Sequence, residues 1–476
     1  MRKLILSSLL SFLILGCSAI PEIERREFTK ISDINIDNQN SVEKNLFITD
    51  SWWLSYNTSP TLRNIIEMTL SSNKDIKTSQ LNIEKSYQAI TLAKSQSGFN
   101  LNLNGSGVRQ KLDEHGTTPP PFNGKIIDLG ALNLQASYDL DIFNRVGALA
   151  EEAEYKSQAT LLNSKWITLN ISIQTAKLYY YWNYLISERE NLLNQEKIIA
   201  DLVSLEKEKY NIGMGVEEDY LNAQSQLRDI QSLLKQNQLN LDVTFNSLNS
   251  LSGNEHTDEL KTLLNNCSND TLAIDIPTSI SSDIITHRFD VAYYLMLVHG
   301  QEKHLESAKA GFYPQFSITG QYGFEAVDFN KVLQRSSLAG FIGASVYLPI
   351  FNMGAIRANY KVAGIDLNIL IEEYNQAVIN AYTDINNELL KSKTMESILK
   401  EEDQNLLNDK TIWENNNQRF EIGTLSNYSY LINNLQWLQS QLDNNQKHFN
   451  FITQQLDFLN SVGGAYSLGG NNGTNK

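Results

Sequence analysis

The chain has 476 residues and a formal net charge of −15, and this acidic balance argues against nucleic-acid binding, which needs basic surface. Its two cysteines, Cys17 and Cys267, leave no disulfide framework, and its six histidines offer little material for a metal site. The mean hydropathy of −0.32 resembles that of a soluble protein, and after the leader no run reaches the roughly 18 apolar residues that predict a membrane helix.

A basic start and a short apolar run at residues 4–15 precede Cys17. The run is too short for a membrane span and is typical of a secretory signal. The residues before Cys17 resemble a bacterial lipoprotein box, which implies cleavage after residue 16, acylation of Cys17 and, from Ser18, sorting to the outer membrane. An ordinary signal peptide with a chance cysteine is the alternative.

The chain is built twice from one plan. Residues 137–144 read SYDLDIFN and residues 345–352 read SVYLPIFN, and Gly213 corresponds to Gly423 at an offset of 210 (423 − 213). A period of this size lies far above the roughly 20–50 residues of solenoid repeats, so it indicates a duplicated half-domain. Each half reads helix, strand, loop, strand, helix, turn, helix.

These patterns predict six segments. They are a signal peptide (1–16), a lipidated N-terminal segment (17–60), a first repeat (61–253), a connecting equatorial segment (254–278), a second repeat (279–463) and a disordered C-terminal tail (464–476). We interpret Cys267, in the connecting segment, as a lone structural thiol.

Four runs of about ten residues alternate between apolar and polar side chains, at 99–108, 132–142, 316–325 and 342–350. Their length suits a tilted transmembrane strand, and the alternation is typical of a membrane barrel. A soluble half-buried sheet has the same period and stays open as an alternative. Four strands cannot close a barrel, so membrane embedding would require several subunits to share one. The polar loops at about 112–126 and 326–337 are predicted to lie outside the cell.

The segments between the strands predict very long helices. Residues 145–212 contain no proline, and a continuous helix there would be about 100 Å long. Apolar residues recur at alternating spacings of four and three, for example at Leu169, Ile173 and Ala176. This spacing predicts coiled-coil packing. A cytosolic helical bundle is the alternative, which the leader and the strands disfavour.

Six short motifs together resemble one known family. They are Asp50-Ser51-Trp52-Trp53, residues 107–112 (GVRQKL), residues 138–146 (YDLDIFNRV), residues 287–290 (HRFD), residues 308–314 (AKAGFYP) and residues 348–351 (LPIF). Their order resembles that of the TolC-like outer membrane efflux proteins, in the lipidated drug-efflux branch of OprM/NodT type. Phe289 and Asn144 depart from the family pattern, which usually has proline and glycine there.

The resemblance implies a mixed α/β membrane protein, internally duplicated. Each subunit of a homotrimer would give four transmembrane strands to one 12-stranded barrel, and long periplasmic helices would form an α-barrel. The implied function is the exit duct of a tripartite efflux system, with a periplasmic adaptor protein and an inner-membrane RND-type pump as partners. The implied location is the outer membrane of a Gram-negative bacterium, anchored by lipid on Cys17 and extending into the periplasm. No cofactor is implied.

The helix–turn–helix junctions at about 210–222 and 420–433 are predicted to form the periplasmic tip. The first carries Glu217, Glu218 and Asp219. Threefold symmetry would bring these like charges near the axis as an acidic ring that attracts cations. The resemblance places Asp219 at a gating position. Alternatively, the three residues form an acidic solvated turn that favours a helix N-terminus.

The second junction departs from the family. Asn433 stands near a position where the family often has aspartate, and Phe420 stands where a gate tyrosine is common. We expect Tyr428 or Tyr430 to offer an alternative constriction.

Three other functions stay open. The same architecture would suit an exit duct for type I protein secretion or for metal efflux. A structural periplasmic lipoprotein built on coiled coils would leave the alternating strands unexplained. An enzyme is disfavoured, because the sequence has no glycine-rich phosphate loop, nucleophile elbow or His/Cys cluster.

Overall fold

A computed structural model describes residues 20–29, 51–56, 58–117, 119–266, 272, 274–277 and 284–464. The predicted signal peptide, Cys17, Cys267 and the tail from residue 465 lie outside these described residues. The chain divides into two compact units. The strand unit comprises residues 1–28, 82–160 and 293–375, and the hairpin unit comprises residues 29–81, 161–292 and 376–476.

The elements follow the predicted order twice. They are α1 (Trp52–Ser55), α2 (Pro60–Ser72), α3 (Lys74–Ser95), β1 (Phe99–Lys111), β2 (Ile126–Leu140), α4 (Arg145–Asn211), α5 (Glu217–Leu251), α6 (Thr257–Asn265), α7 (Ile284–His287), α8 (Phe289–Ala310), β3 (Gln315–Ala326), β4 (Leu338–Tyr347), α9 (Ala355–Glu421) and α10 (Asn427–Val462). Two single-turn 3-10 helices, Phe329–Lys331 and Arg335–Ser337, lie between β3 and β4.

The strand unit holds one antiparallel sheet in the order β1-β2-β3-β4. Leu103 pairs with Leu134, Leu132 with Phe324, and Phe316 with Val346. Paired residues lie on the same face, so the apolar sets of the four strands form one continuous apolar face. That face is open to solvent in the single chain, and Ile342 there is 83% exposed.

The other face of the sheet carries a polar network. Asn104 donates to Gln135 at 3.0 Å, and Asn133 donates to Glu325 at 3.0 Å. Gln321 donates to the same Glu325 carboxylate at 2.9 Å. The polar side chains thus bond to one another within and between strands. The apolar face is largely exposed, although Phe329 and Val332 of the β3–β4 connection lie over Gly107 and Gly130 at one end of it.

Several predicted strand bounds were wrong. β1 runs on to Lys111, past the predicted residue 108, and β2 begins at Ile126, before the predicted residue 132. The strand predicted at 342–350 is β4, which begins earlier, at Leu338, and ends at Tyr347. Pro349 lacks an N–H for a ladder and restricts the residue before it. The strand predicted to reach residue 142 is β2, which ends at Leu140.

Asp141 explains where β2 ends. Its carboxylate accepts hydrogen bonds from the backbone N–H groups of residues 145–147, at distances of 2.6 to 2.9 Å. These donors are the unsatisfied N–H groups at the start of α4, and a carboxylate there also favours the helix dipole. The residue that would extend the strand therefore caps the next helix.

The long helices form as predicted. α4 and α9 occupy equivalent places in the two repeats, and each runs uninterrupted for 67 residues. In the hairpin unit, Leu169, Ile173 and Ala176 are buried in one core with Leu456 and Leu459. Trp52 is fully buried in the same core, where its indole N–H donates to Ser172 Oγ at 2.9 Å. Within the described ranges, none of the helices combines the length and apolar character needed to span a membrane.

Candidate functional site at the helix–turn–helix junctions

The first junction is a tight turn built on Gly213. Its φ of 71° lies in the left-handed region that glycine adopts without cost. The Met214 N–H donates to the Lys209 carbonyl at 2.9 Å, and the Gly213 N–H donates to the Tyr210 carbonyl at 3.1 Å. This pair of bonds is the Schellman motif that ends a helix.

The second junction repeats this geometry at Gly423, whose φ is 76°. The Thr424 N–H donates to the Arg419 carbonyl at 2.8 Å, and the Gly423 N–H donates to the Phe420 carbonyl at 2.9 Å. The two long helices therefore stop by the same backbone device, as a duplicated plan requires.

The two junctions differ in how their second helices begin. α10 is capped by Ser426, whose hydroxyl accepts from the Ser429 N–H at 3.1 Å. α5 has no side-chain cap and begins instead with Glu217, Glu218 and Asp219, all exposed. Carboxylates in a first turn are favoured by the helix dipole. The acidic cluster thus belongs to the first junction alone.

A small apolar cluster joins the two helical hairpins just behind the turns. Leu202 of α4, Ala223 of α5 and Leu431 of α10 are buried together. The partly buried Tyr430 packs against them. The structure therefore brings both junctions together within the hairpin unit.

Aromatic and charged side chains reinforce this contact. The Phe420 and Tyr430 rings stack with centroids 4.0 Å apart. Lys209 Nζ lies 4.6 Å from the centre of the Tyr428 ring and donates to Glu206 at 2.7 Å. A cation over an aromatic face is attracted by the ring quadrupole, so Lys209 links α4 of the first hairpin to α10 of the second.

Among the predicted site residues, Phe420 and Tyr430 thus touch each other, while Glu217, Glu218 and Asp219 share one exposed turn. Asn433 is half-buried on α10. Sequence reasoning missed Lys209 and Glu206. Their i, i+3 spacing just before Gly213 was the available signal. Within the part of the chain that the structure describes, no group of three or more His, Cys, Asp or Glu residues could hold a metal ion.

Comparison with known proteins assigns the family. The profile of the family described as outer membrane efflux protein matches residues 65–254 and 281–446. The chain belongs to this family, which is TolC-like and consists of transport proteins.

Individual relatives match most or nearly all of the chain. The probable efflux pump outer membrane protein TtgC of Pseudomonas putida is 23% identical over 474 residues, 98% of this chain and 96% of its own. The multidrug resistance outer membrane protein MdtQ of Escherichia coli O6:H1 is 25% identical over 360 residues, 72% of each chain.

Solved structures share the fold. The CmeC outer membrane channel of Campylobacter jejuni superposes with a TM-score of 0.80 at 21% identity, covering 95% of this chain and 96% of that one. VceC from Vibrio cholerae gives 0.75 at 19% identity, covering 88% and 99%. The mixed fold predicted from the sequence is confirmed, and the protein is an outer-membrane efflux component.

Proposed function

We propose that the protein is a homotrimeric exit duct of a tripartite efflux system. The observation that carries this proposal is the four-stranded sheet of the strand unit. Its two outer strands, β1 and β4, do not pair with each other, and most of its apolar face is exposed. Open sheet edges do not occur in hydrocarbon, whereas three such sheets joined edge to edge give one closed barrel of twelve strands.

The long helices supply the second half of the duct. Three copies of α4, α5, α9 and α10 would form an α-barrel through the periplasm, and a periplasmic adaptor and an inner-membrane RND-type pump would engage it. Relatives named as antibiotic and toluene efflux components support drugs and other small molecules as cargo.

The location follows from the leader. We place the protein in the outer membrane of a Gram-negative bacterium, with Cys17 acylated, including by palmitate, as a lipid anchor. Several acyl chains hold a protein stably at a membrane, whereas a single chain binds it only marginally.

The tip of the hairpin unit would close the duct at rest. In a trimer, Glu217, Glu218 and Asp219 would form the acidic ring. Among these three residues, Asp219 would act as the gate residue. Phe420, Tyr430 and Asn433 would form the neighbouring constriction. The uncapped acidic turn of α5 and the aromatic stack of the second junction support this assignment.

The test is planar-bilayer conductance of the detergent-purified protein, with light scattering to count subunits. Ile342→Arg places a charge on the apolar face, where it costs about 2–4 kcal/mol at the midplane of a bilayer. Ser345→Arg, on the opposite face of β4, is the matched control. We expect the wild type and Ser345→Arg to insert as conducting trimers and Ile342→Arg to lose most insertion.

Two outcomes would contradict the proposal. One is equal insertion of both variants. The other is a wild type that does not conduct and that stays in solution without detergent once its lipid is removed. A coiled-coil lipoprotein would then be the better account.

A further inference from the structure

An N-terminal segment of the strand unit, residues 20–28, lies along helix α9 without helix or strand of its own. We call it the strap. The Asn368 side chain donates to the Glu24 carbonyl at 2.8 Å and accepts from the Arg26 N–H at 2.9 Å. Farther along α9, Asn375 donates to the Glu27 carbonyl at 3.1 Å. Helix side chains thus bind the main chain of the strap.

Contacts at both ends fix the register of the strap. Ile23 packs against Gly364, where a Cβ atom would lie 2.4 Å from the Ile23 Cδ1 atom. At the other end, the Phe28 ring meets the Tyr374 ring edge-on with centroids 5.5 Å apart. Gly364 and Asn368 are four residues apart, which places them on one face of the helix.

The ion pairs of the strap contribute less to its binding than the main-chain hydrogen bonds do. Arg25 pairs with Glu302 of α8, and Arg26 lies 3.8 Å from Glu372, but most of these side chains are substantially exposed. Exposed ion pairs contribute little to stability and are screened by salt. The main-chain hydrogen bonds and the contact of Ile23 with Gly364 therefore define where the strap binds.

We propose that this face of α9 is a docking site for the chain's own N-terminal strap, and that docking fixes where the acylated Cys17 enters the membrane. The part of this proposal that concerns Cys17 rests on the proposed lipidation. Ile20 lies three positions after Cys17 (20 − 17), a reach of about 10 Å. If only Phe28 stayed in contact, Cys17 would be eleven positions from the last held residue (28 − 17), a reach of about 40 Å.

The turn between β4 and α9 supports this location. Ile350, Phe351 and Met353 are 88%, 86% and 90% exposed, an apolar surface unusual for water. Gly364 lies nine residues after Ala355, about 14 Å along the helix. The strap therefore begins close to the place where the chain presents apolar side chains to a lipid surface.

The first test is hydrogen–deuterium exchange of the full-length protein in nanodiscs, read on peptides covering residues 20–28. We expect the Arg26 amide to exchange slowly in the wild type and about tenfold faster in an Asn368→Ala/Asn375→Ala variant, since a hydrogen-bonded amide is protected until its bond opens. Asn380→Ala, at an exposed asparagine on the same helix whose side chain accepts from Gln376, is the control. Rapid exchange in the wild type, or no change in the double variant, would overturn docking.

The second test measures confinement of the anchor. In a Cys267→Ser background, nitroxide labels at Ala19→Cys and Ala358→Cys report the spread of their separation by pulsed electron resonance. Docking predicts a narrow distribution that broadens in the double asparagine variant, and a broad distribution in both proteins contradicts it. Neither readout depends on conductance, so a conducting protein with an unprotected strap would defeat this inference and leave the exit duct standing.

Discussion

Phe420 and Tyr430 stack almost parallel, with ring centroids 4.0 Å apart and an angle of 10° between the ring planes. Phe420 lies in the last turn of α9 and Tyr430 in the first turn of α10, so the pair closes the second junction. By the family resemblance, Phe420 stands where a gate tyrosine is common, and a phenylalanine has no hydroxyl for a gate hydrogen bond. In this chain the Phe420 ring stacks on Tyr430.

This stack should hold the junction shut. A stacked aromatic pair contributes about 0.5–1.5 kcal/mol beyond the area it buries. We expect Phe420→Leu and Tyr430→Leu each to speed hydrogen exchange of amides 420–430, and the double variant to show a coupling energy of about 1 kcal/mol. Fully additive effects would mean that the rings contribute only as separate apolar groups. Phe420→Leu combined with Tyr428→Leu is the control pair and should show no coupling, because the Tyr428 ring faces Lys209 instead of Phe420.

Asp219 should set the ion selectivity of the closed tip. A unit charge about 10 Å from the axis contributes about 0.4 kcal/mol in water, so three carboxylates would attract a cation by about 1.2 kcal/mol and repel an anion by as much. Salt screens part of this difference. We expect Asp219→Ala to lower the cation-to-anion permeability ratio by at least about fivefold to tenfold and to enlarge the single-channel steps. The measurement is the reversal potential in asymmetric salt.

A matched substitution separates the effect of the proposed acidic ring from the effect of the protein's overall charge. Asp229→Ala removes the same charge from the same helix ten residues farther on, at an exposed position. Equal effects of the two variants would indicate a general surface-charge effect, with residues 217–219 only an acidic solvated turn.

Lys209 should link the two hairpins. Its ammonium donates to Glu206, which is only 5% exposed, and faces the Tyr428 ring. Lys209→Met would leave that carboxylate without its strongest partner, at a cost of about 1–3 kcal/mol. We expect a lower melting temperature and a larger resting conductance.

The partner residue provides the check. In a Glu206→Gln/Lys209→Met protein the buried charge is absent, so most of the lost stability should return while the cation over Tyr428 stays lost. If the double variant is no more stable than Lys209→Met, the pair does not act as described.

Sequence patterns predicted the elements well where they were long and regular. Period-two alternation located all four strands, and the proline-free run from Arg145 located a 67-residue helix. The errors fell at ends. Pro349, which has no N–H, follows the end of β4, and Asp141, whose carboxylate caps α4, follows the end of β2. The alternation of apolar and polar residues carries no information about either effect.

Contacts between distant residues could not be predicted in the same way. Lys209 and Tyr428 are 219 positions apart (428 − 209), and neither residue type signals the other. Asn368 reads in sequence as an ordinary polar helix residue, although it binds two main-chain groups of the strap. The gating role of Asp219 stays a prediction, since one chain contains no symmetry axis.

Tyr184 should make stability fall at alkaline pH. Its hydroxyl donates to Glu188 at 3.0 Å, and Asn237 donates to the other oxygen of that carboxylate at 2.7 Å. Burial first, and then the Glu188 charge, raise the pKa of Tyr184 above its usual value. The folded protein therefore keeps this proton when an unfolded tyrosine, whose pKa is about 10, has lost it.

The sign of the effect follows from linkage. A raised folded pKa stabilises the protein below the unfolded pKa, and that stability is lost as pH rises above about 10. At pH 7, Tyr184→Phe should cost about 1 kcal/mol for the missing hydrogen bond. Above pH 10 the wild type loses stability that the phenylalanine variant keeps. The wild type's advantage in melting temperature over Tyr184→Phe should therefore shrink and change sign near about pH 11. Tyr87→Phe, which removes an exposed phenol on α3, is the control. If the difference for Tyr184→Phe narrows no more with pH than the difference for Tyr87→Phe, the Tyr184 hydroxyl is not held neutral by its burial beside Glu188.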